Sequence, residues 1–238
     1  MTKKYFIISD IHGHYDEMIL ALSSKGYDSN NALHHLVVIG DMFDRGTQSK
    51  EVLEFLYPLS IKLKATVICG NHDNFMIEFF EGNFGRAIFN INNNGMGKTL
   101  SSLTGNKLID YSELEKIKNE ISKKYPYLEG WLRSLPSYLE IGEYIFVHGG
   151  IDGELEDWRK SSLRDCIWNR QNTLKPVKDK IMVVGHHRVP TIRYPGVNYR
   201  KLLIKKPEAF DILYEKKKIF IDAFVEISKK INVLELEI

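Results

Sequence analysis

The sequence predicts an α/β protein in which two facing, mixed β-sheets form a central sandwich flanked by helices. Three observations predict it. The first third alternates short apolar runs with segments of helical periodicity, the order that builds a parallel sheet with covering helices. The second half adds further apolar runs, one pair of them joined by a two-residue turn, giving more strands than one sheet needs. Five of these runs end in polar, glycine-punctuated clusters, and the carboxyl ends of strands are where open α/β sheets bind ligands.

Residues 5–9 read as the first strand. Within residues 15–24, Met18, Ile19 and Leu22 share one helical face, and Gly26 supplies a stop. Residues 36–39 are a second buried strand, 49–57 a helix before Pro58, 65–69 a third strand, and 74–80 a third helix ending near Gly82. Residues 82–105 are rich in Asn and Gly and read as a loop with little regular structure. Ser112 and Glu115 have capping-box spacing ahead of Leu114, Ile117 and Ile121, and a further helix runs through Trp131 and Leu132 to Pro136. Residues 138–141 and 144–147 flank Gly142-Glu143, a fitting hairpin turn. Residues 159–169 read as a helix, 181–184 as a strand, and 218–224 with 232–238 as an antiparallel pair. Without repeats or low-complexity linkers, residues 1–238 read as one domain.

The polar clusters are Ser9-Asp10-Ile11-His12-Gly13, Gly40-Asp41-Met42-Phe43-Asp44-Arg45-Gly46, Gly70-Asn71-His72-Asp73, His148-Gly149-Gly150 and Gly185-His186-His187. Asp10 and His12 are two residues apart, so in extended chain their donors point the same way. Asp41 adds a carboxylate able to bridge two cations. Asn71, His148 and His186 add a carbonyl oxygen and two ring nitrogens. Together these exceed what one catalytic metal with an open position takes, whereas two metals about 3.5–4 Å apart would use them all and share a water. Oxygen and nitrogen donors without thiolate suit manganese, iron or zinc better than calcium. A lone Asp after a strand is commonly a helix N-cap, a reading open to Asp10 or Asp73 taken alone. His14, His34 and His35 fall outside the pattern and read as ordinary polar positions.

In content and order these segments resemble the signatures of the phosphoprotein phosphatase family: GDxHG, GDxxDRG, GNHD or GNHE, HAG and GH. Here they stand as SDIHG, GDMFDRG, GNHD, HGG and GHH between residues 9 and 187. The resemblance is to the compact bacterial and bacteriophage members, of the bacteriophage lambda phosphatase type, a group that includes the symmetrical diadenosine tetraphosphate hydrolases. It implies the calcineurin-like metallophosphoesterase fold and a set of roles. Asp10 and His12 would bind a first metal, Asp41 would bridge, and Asn71, His148 and His186 would bind the second. His72 would be the general acid, oriented by Asp44. Arg45 would hold phosphate oxygens, as would Arg170 in Trp168-Asn169-Arg170. Two divalent ions, manganese first and iron or zinc as alternatives, would hold a bridging hydroxide for direct hydrolysis. The chain departs from the pattern in places. His187 could compete with His186, Cys69 stands where many relatives carry Arg, and Asp222-Ala223-Phe224 replaces an Asp-Thr-Gly segment.

The formal charge of +2 is lower than a bulk nucleic-acid binder carries. No apolar run approaches the roughly 18–20 residues of a membrane span. Only four apolar residues, 5–8, precede Ser9 and Asp10, unlike a signal peptide, so the expected location is cytoplasmic. Cys69 and Cys166 lack CxxC partners, against a disulfide framework or zinc knuckle. The expected substrate is phosphoserine or phosphothreonine in protein, with broad specificity. The alternatives are symmetrical diadenosine tetraphosphate hydrolysis and a catalytically silent phosphoprotein-binding module. Selectivity is expected from residues 82–105 and 188–217, the latter holding Arg188, Arg193, Arg200, Lys201, Lys205 and Lys206. The oligomeric state stays open.

Overall fold

The computed structural model describes residues 2–170 and 177–238. Strands β1 (Lys4–Ile8), β2 (His34–Ile39) and β3 (Ala65–Ile68) are parallel neighbours, and β9 (Leu234–Glu237) runs antiparallel on the free edge of β1. The second sheet contains β4 (Tyr138–Ile141), β5 (Tyr144–Val147), β6 (Ile181–Val184), β7 (Leu213–Glu215) and β8 (Lys218–Phe220) in the order β4-β5-β6-β8-β7. Its three central strands are parallel and both edge strands antiparallel.

Period-two alternation sorts the strand side chains into layers. Ile7, Val37, Ile39 and Ile68 meet Phe146, Val183 and Ile219 between the sheets. Phe6, Ile8, Leu36 and Val38 point the other way. They pack on Met18 and Leu22 of α1 (Tyr15–Ser24), Val52 and Leu56 of α2 (Ser49–Ile61), and Met76 and Phe79 of α3 (Asn71–Phe80). The outer face of the second sheet, through Ile145, Val147, Met182 and Val184, packs on Cys166 and Ile167 of α8 (Leu163–Trp168). Each fully buried aliphatic side chain here contributes about 1.5–3 kcal/mol. The strand carboxyl ends of both sheets therefore open onto one edge of the sandwich.

Several expectations are corrected. Residues 82–105 are not a loop: they form α4 (Phe84–Asn93) and α5 (Met96–Thr104), joined through Gly95 at φ 83°. Phe84, Ala87, Ile88 and Ile91 lie at helical spacing against the core, outweighing the weak helix preference of the intervening asparagines. Helix α2 continues through Pro58, because the buried face of Val52, Leu53 and Leu56 holds it in place. Helix α3 begins at Asn71, not residue 74, with Asp73 accepting from the Gly70 amide at 2.8 Å. The capping box read at Ser112 is absent, since Asp110 takes the Ser112 amide and hydroxyl at 2.8 and 2.7 Å and α6 (Leu114–Lys124) starts two residues later, ahead of α7 (Leu128–Ser134). Residues 159–169 are split, because Ser162 and Asp165 cap each other's amides and restart the helix as α8. Segments 218–224 and 232–238 do not pair with each other: β8 lies between β6 and β7, and β9 pairs with β1. The stretch 188–217 holds α9 (Val189–Arg193), α10 (Tyr199–Lys205) and β7. Within it, Arg193 commits its guanidinium to the carbonyls of Glu208, Ala209, Asp211 and Ile212 at 2.8–3.1 Å. Both cysteines are free and buried. Among the described residues no helix is long and apolar enough to cross a membrane.

His35, at the start of β2, bonds Thr66 Oγ1 through Nε2 at 2.9 Å, and its buried Nδ1 has no partner among the described residues. Burial, with Lys3 and Lys64 nearby, pushes its pKa down from 6.5 to about 4. Between those values the unfolded chain binds the extra proton, so stability is lost as pH falls through this window. The urea midpoint should therefore drop more between pH 7 and 5 in the unaltered protein than in His35→Phe. Equal drops would refute this.

Candidate active site

The five polar clusters follow β1, β2, β3, β5 and β6, and four of them line one cavity with Asp10, His12, Asp41, Asn71, His72 and His186, with Arg45, Arg170, Arg188 and Asp222 around them, while His148 of the fifth lies against Asn71 and Asp41. The backbone is bent to achieve this. Asp10, His12, Asp41, Asp44, Arg45 and His186 all have φ between 47° and 72°, a left-handed conformation costing non-glycine residues about 1–3 kcal/mol each. Two glycines permit the crowding. A Cβ on Gly70 would sit 2.3 Å from Asp41 Oδ1, and one on Gly185 2.4 Å from Asp10 Oδ2.

Hydrogen bonds fix which ring nitrogen faces the cavity. His12 Nδ1 donates to the Phe43 carbonyl at 2.9 Å, leaving Nε2 toward Asp41 Oδ2 at 3.5 Å and Asp10 Oδ1 at 4.0 Å. His148 Nδ1 donates to the Ile39 carbonyl at 2.9 Å, leaving Nε2 at 3.1 Å from Asn71 Oδ1 and 3.3 Å from Asp41 Oδ1. Asp41 thus turns one oxygen toward each histidine. It belongs to both buried donor groups, His12–Asp41–His72 and Asp41–His148–His186. The Asp10 carboxylate receives the His186 amide at 3.0 and 3.2 Å. His186 Nε2 accepts from Arg170 Nε at 2.8 Å. His187 turns away, its Nε2 at 2.9 Å from both the Gly149 and Asn169 carbonyls, so it does not compete with His186 for the cavity.

This donor set fits divalent cations. Asp41 Oδ1, which also accepts the His72 amide at 2.9 Å, meets Asn71 Oδ1 and His148 Nε2, and a proton or a cation would relieve the repulsion among their lone pairs. Burial works against a protonated His148, yet the Asp41 charge raises its pKa to about 10. Burial alone would raise the Asp41 carboxyl, but His148 and His72 hold it well below the usual range. Asp10 goes the other way, raised by burial and by Asp222. His186 is pushed down to about 2 by burial and by His148, so it presents a neutral ring. The ring tethers to Phe43 and Ile39 carbonyls are the outer supports that metal-binding histidines use.

Beside these donors, His72 Nδ1 lies 2.6 Å from Asp44 Oδ2, and its Nε2 accepts from Arg45 Nη2 at 3.0 Å. Sequence reasoning missed the parts that hold this pair. Thr99, fully buried on α5, donates to Asp44 Oδ1 and accepts from the Asp44 amide, both at 2.8 Å. Asp73 accepts the amides of Gly70 and Asp41 at 2.8 Å and of Met42 at 3.0 Å, bracing the turn that carries Asp41. Glu226 joins Arg45 and Arg188 at 2.5 and 3.0 Å. Asp222 lines the cavity despite its unusual sequence context, its pKa raised to about 6 by burial. Thr99 carried a usable signal as the inward position of an unrecognised helix, and Asp73 carried one as an N-cap candidate, which the structure places at the third helical position of α3, capping Gly70.

Residues 3–221 match the calcineurin-like phosphoesterase family. Over 219 residues the chain is 31% identical to the asymmetrical bis(5'-nucleosyl)-tetraphosphatase PrpE of Oceanobacillus iheyensis, covering 82% of this chain and 81% of that protein. The Bacillus subtilis protein of the same name is 31% identical over 155 residues, 62% of this chain and 57% of its own length. The Vibrio vulnificus symmetrical bis(5'-nucleosyl)-tetraphosphatase is 28% identical over 173 residues, 71% of this chain and 52% of that one. The chain thus spans a little over half of these last two relatives. Among solved structures, a cold-active protein-tyrosine phosphatase of Shewanella superposes with TM-score 0.58 at 21% identity, covering 100% of this chain and 76% of that one. At such identity the likeness concerns the fold alone.

Proposed function

The chain belongs to the calcineurin-like phosphoesterase family, and from that premise we propose that it hydrolyses dinucleoside polyphosphates at a two-metal centre. The alignment across 82% of the chain with a relative named asymmetrical bis(5'-nucleosyl)-tetraphosphatase carries this reading. It favours the dinucleotide over the phosphoprotein substrate expected first, and asymmetric over symmetric cleavage.

In this reading Asp10, His12 and Asp41 would hold one cation, and Asp41, Asn71, His148 and His186 would hold the other. When bound, the cations supply Lewis acidity at the phosphoryl oxygens and ionise a water near neutral pH. Arg45 and Arg170 orient the phosphoryl group through charge-assisted hydrogen bonds. His72, paired with Asp44, delivers a proton to the departing oxygen. Manganese suits these donors, with iron or zinc as alternatives.

The test is turnover by manganese-loaded protein of diadenosine tetraphosphate, a phosphoserine peptide and p-nitrophenyl phosphate. Diadenosine tetraphosphate should have the highest kcat/KM and yield AMP and ATP. Two ADP molecules would instead mark symmetric cleavage. Turnover of the phosphopeptide without the dinucleotide would overturn the proposal in favour of a protein phosphatase.

A further inference from the structure

Phe224 holds φ 54° and ψ 57°, a conformation open to glycine but costing a bulky L-residue about 1–2 kcal/mol. The strain is held in place by neighbours. The Phe224 amide donates to Asp222 Oδ1 at 2.7 Å, and its carbonyl accepts from Ile227 and Ser228 at 2.9 and 3.0 Å. The ring held there has a partner at the cavity wall. The Arg188 guanidinium carbon lies 3.8 Å from the Phe224 ring centroid, within the range of cation–π attraction.

The same guanidinium donates through Nη2 to Glu226 Oε1 at 3.0 Å, the oxygen that also accepts from Arg45 Nη1 at 2.5 Å. One carboxylate oxygen therefore sets two guanidinium groups side by side, while Glu226 Oε2 is buried without a partner among the described residues. Arg188 keeps 32% of its side chain exposed and lines the cavity with Arg45 and Arg170. A guanidinium presents five donors in a planar fork, of which Glu226 engages one on Arg188.

Two forks and two cations suffice for the oxygens of one phosphoryl group. A third fork at the same wall suits the oxygens of a phosphate linked to it. We propose that Arg188, presented by Phe224 and Glu226, binds the phosphate adjoining the one that is cleaved, so that the site selects compounds with at least two linked phosphates. The inference rests on the proposed function only in taking this cavity as the phosphate site.

The experiment compares binding of orthophosphate and methylenediphosphonate, which has no hydrolysable bridge, to the full chain by calorimetry with manganese in excess. Arg188→Ala should weaken methylenediphosphonate by about 10-fold or more and orthophosphate by less than about 3-fold. Arg188→Lys should fall between, because an ammonium keeps charge but not the fork. A loss shared equally by both ligands would place Arg188 on the cleaved phosphate, and no loss for either would leave it as an anchor for Glu226. Either result overturns the proposal. Failure to cleave diadenosine tetraphosphate leaves this readout standing, whereas binding of neither compound by the unaltered protein overturns both readings.

Discussion

Changing Asp41 to Asn is expected to leave the purified protein without its pair of divalent cations and to lower hydrolysis by about 10³-fold or more, equivalent to several kcal/mol of lost charge stabilisation. The expectation follows from where the two oxygens point. Oδ2 faces His12 Nε2 at 3.5 Å and Oδ1 faces His148 Nε2 at 3.3 Å, so among the described residues Asp41 is the carboxylate shared by both donor groups. An amide keeps the shape but turns an NH2 group toward one set of acceptors and removes the charge. Without the cations, His148 is held protonated by Asp41, with a pKa raised to about 10. That stabilisation is fully present below the unfolded value near 6.5 and fades as pH rises through about 10. Cation binding must displace this proton, so uptake at pH 7 should release acid and affinity should weaken as pH falls. Elemental analysis and an indicator-dye titration measure both effects. An Asp41→Asn protein that retains two ions per chain would end the two-metal reading.

How much of this site was legible in the sequence depends on the distance over which each part acts. The candidate ligands stand directly after apolar runs, and the run and the cluster are local, so Asp10, His12, Asp41, Asn71, His148 and His186 could all be placed at strand ends. The residues that hold them are a different matter. Thr99 reaches Asp44 across 55 positions and Glu226 reaches Arg45 across 181. Nothing local marks either contact. Partner choice among strands fails for the same reason: alternation shows that residues 234–237 form a strand, but pairing Leu236 with Tyr5 is decided by closure of the sheet. The helices at 84–104 were a different error. Their apolar spacing was present, and the Asn and Gly punctuation masked it, although Gly95 serves as the hinge between two helices and ends neither prematurely.

Changing His72 to Asn is expected to slow hydrolysis of phenyl phosphate by about 10²–10⁴-fold while leaving metal content nearly unchanged. The ring is tethered at Nδ1 to Asp44 at 2.6 Å, and Asp44 is itself fixed by Thr99, so the imidazole is oriented. In the present arrangement Nε2 accepts from Arg45 Nη2 at 3.0 Å and so carries no proton. For His72 to act as an acid, Arg45 must turn to the phosphoryl oxygens and Nε2 must take up a proton, which couples substrate binding to readiness for proton delivery. The size of the effect then depends on what departs. A phenoxide, with a conjugate acid near pKa 10, needs that proton. A nucleotide phosphate leaving from an anhydride, with a pKa near 6, needs little help. His72→Asn should therefore cost the dinucleoside polyphosphate less than about 10-fold in kcat, while the phenyl ester bears the full loss. Equal losses for the two substrates would remove His72 from proton delivery and leave it a role in positioning Arg45.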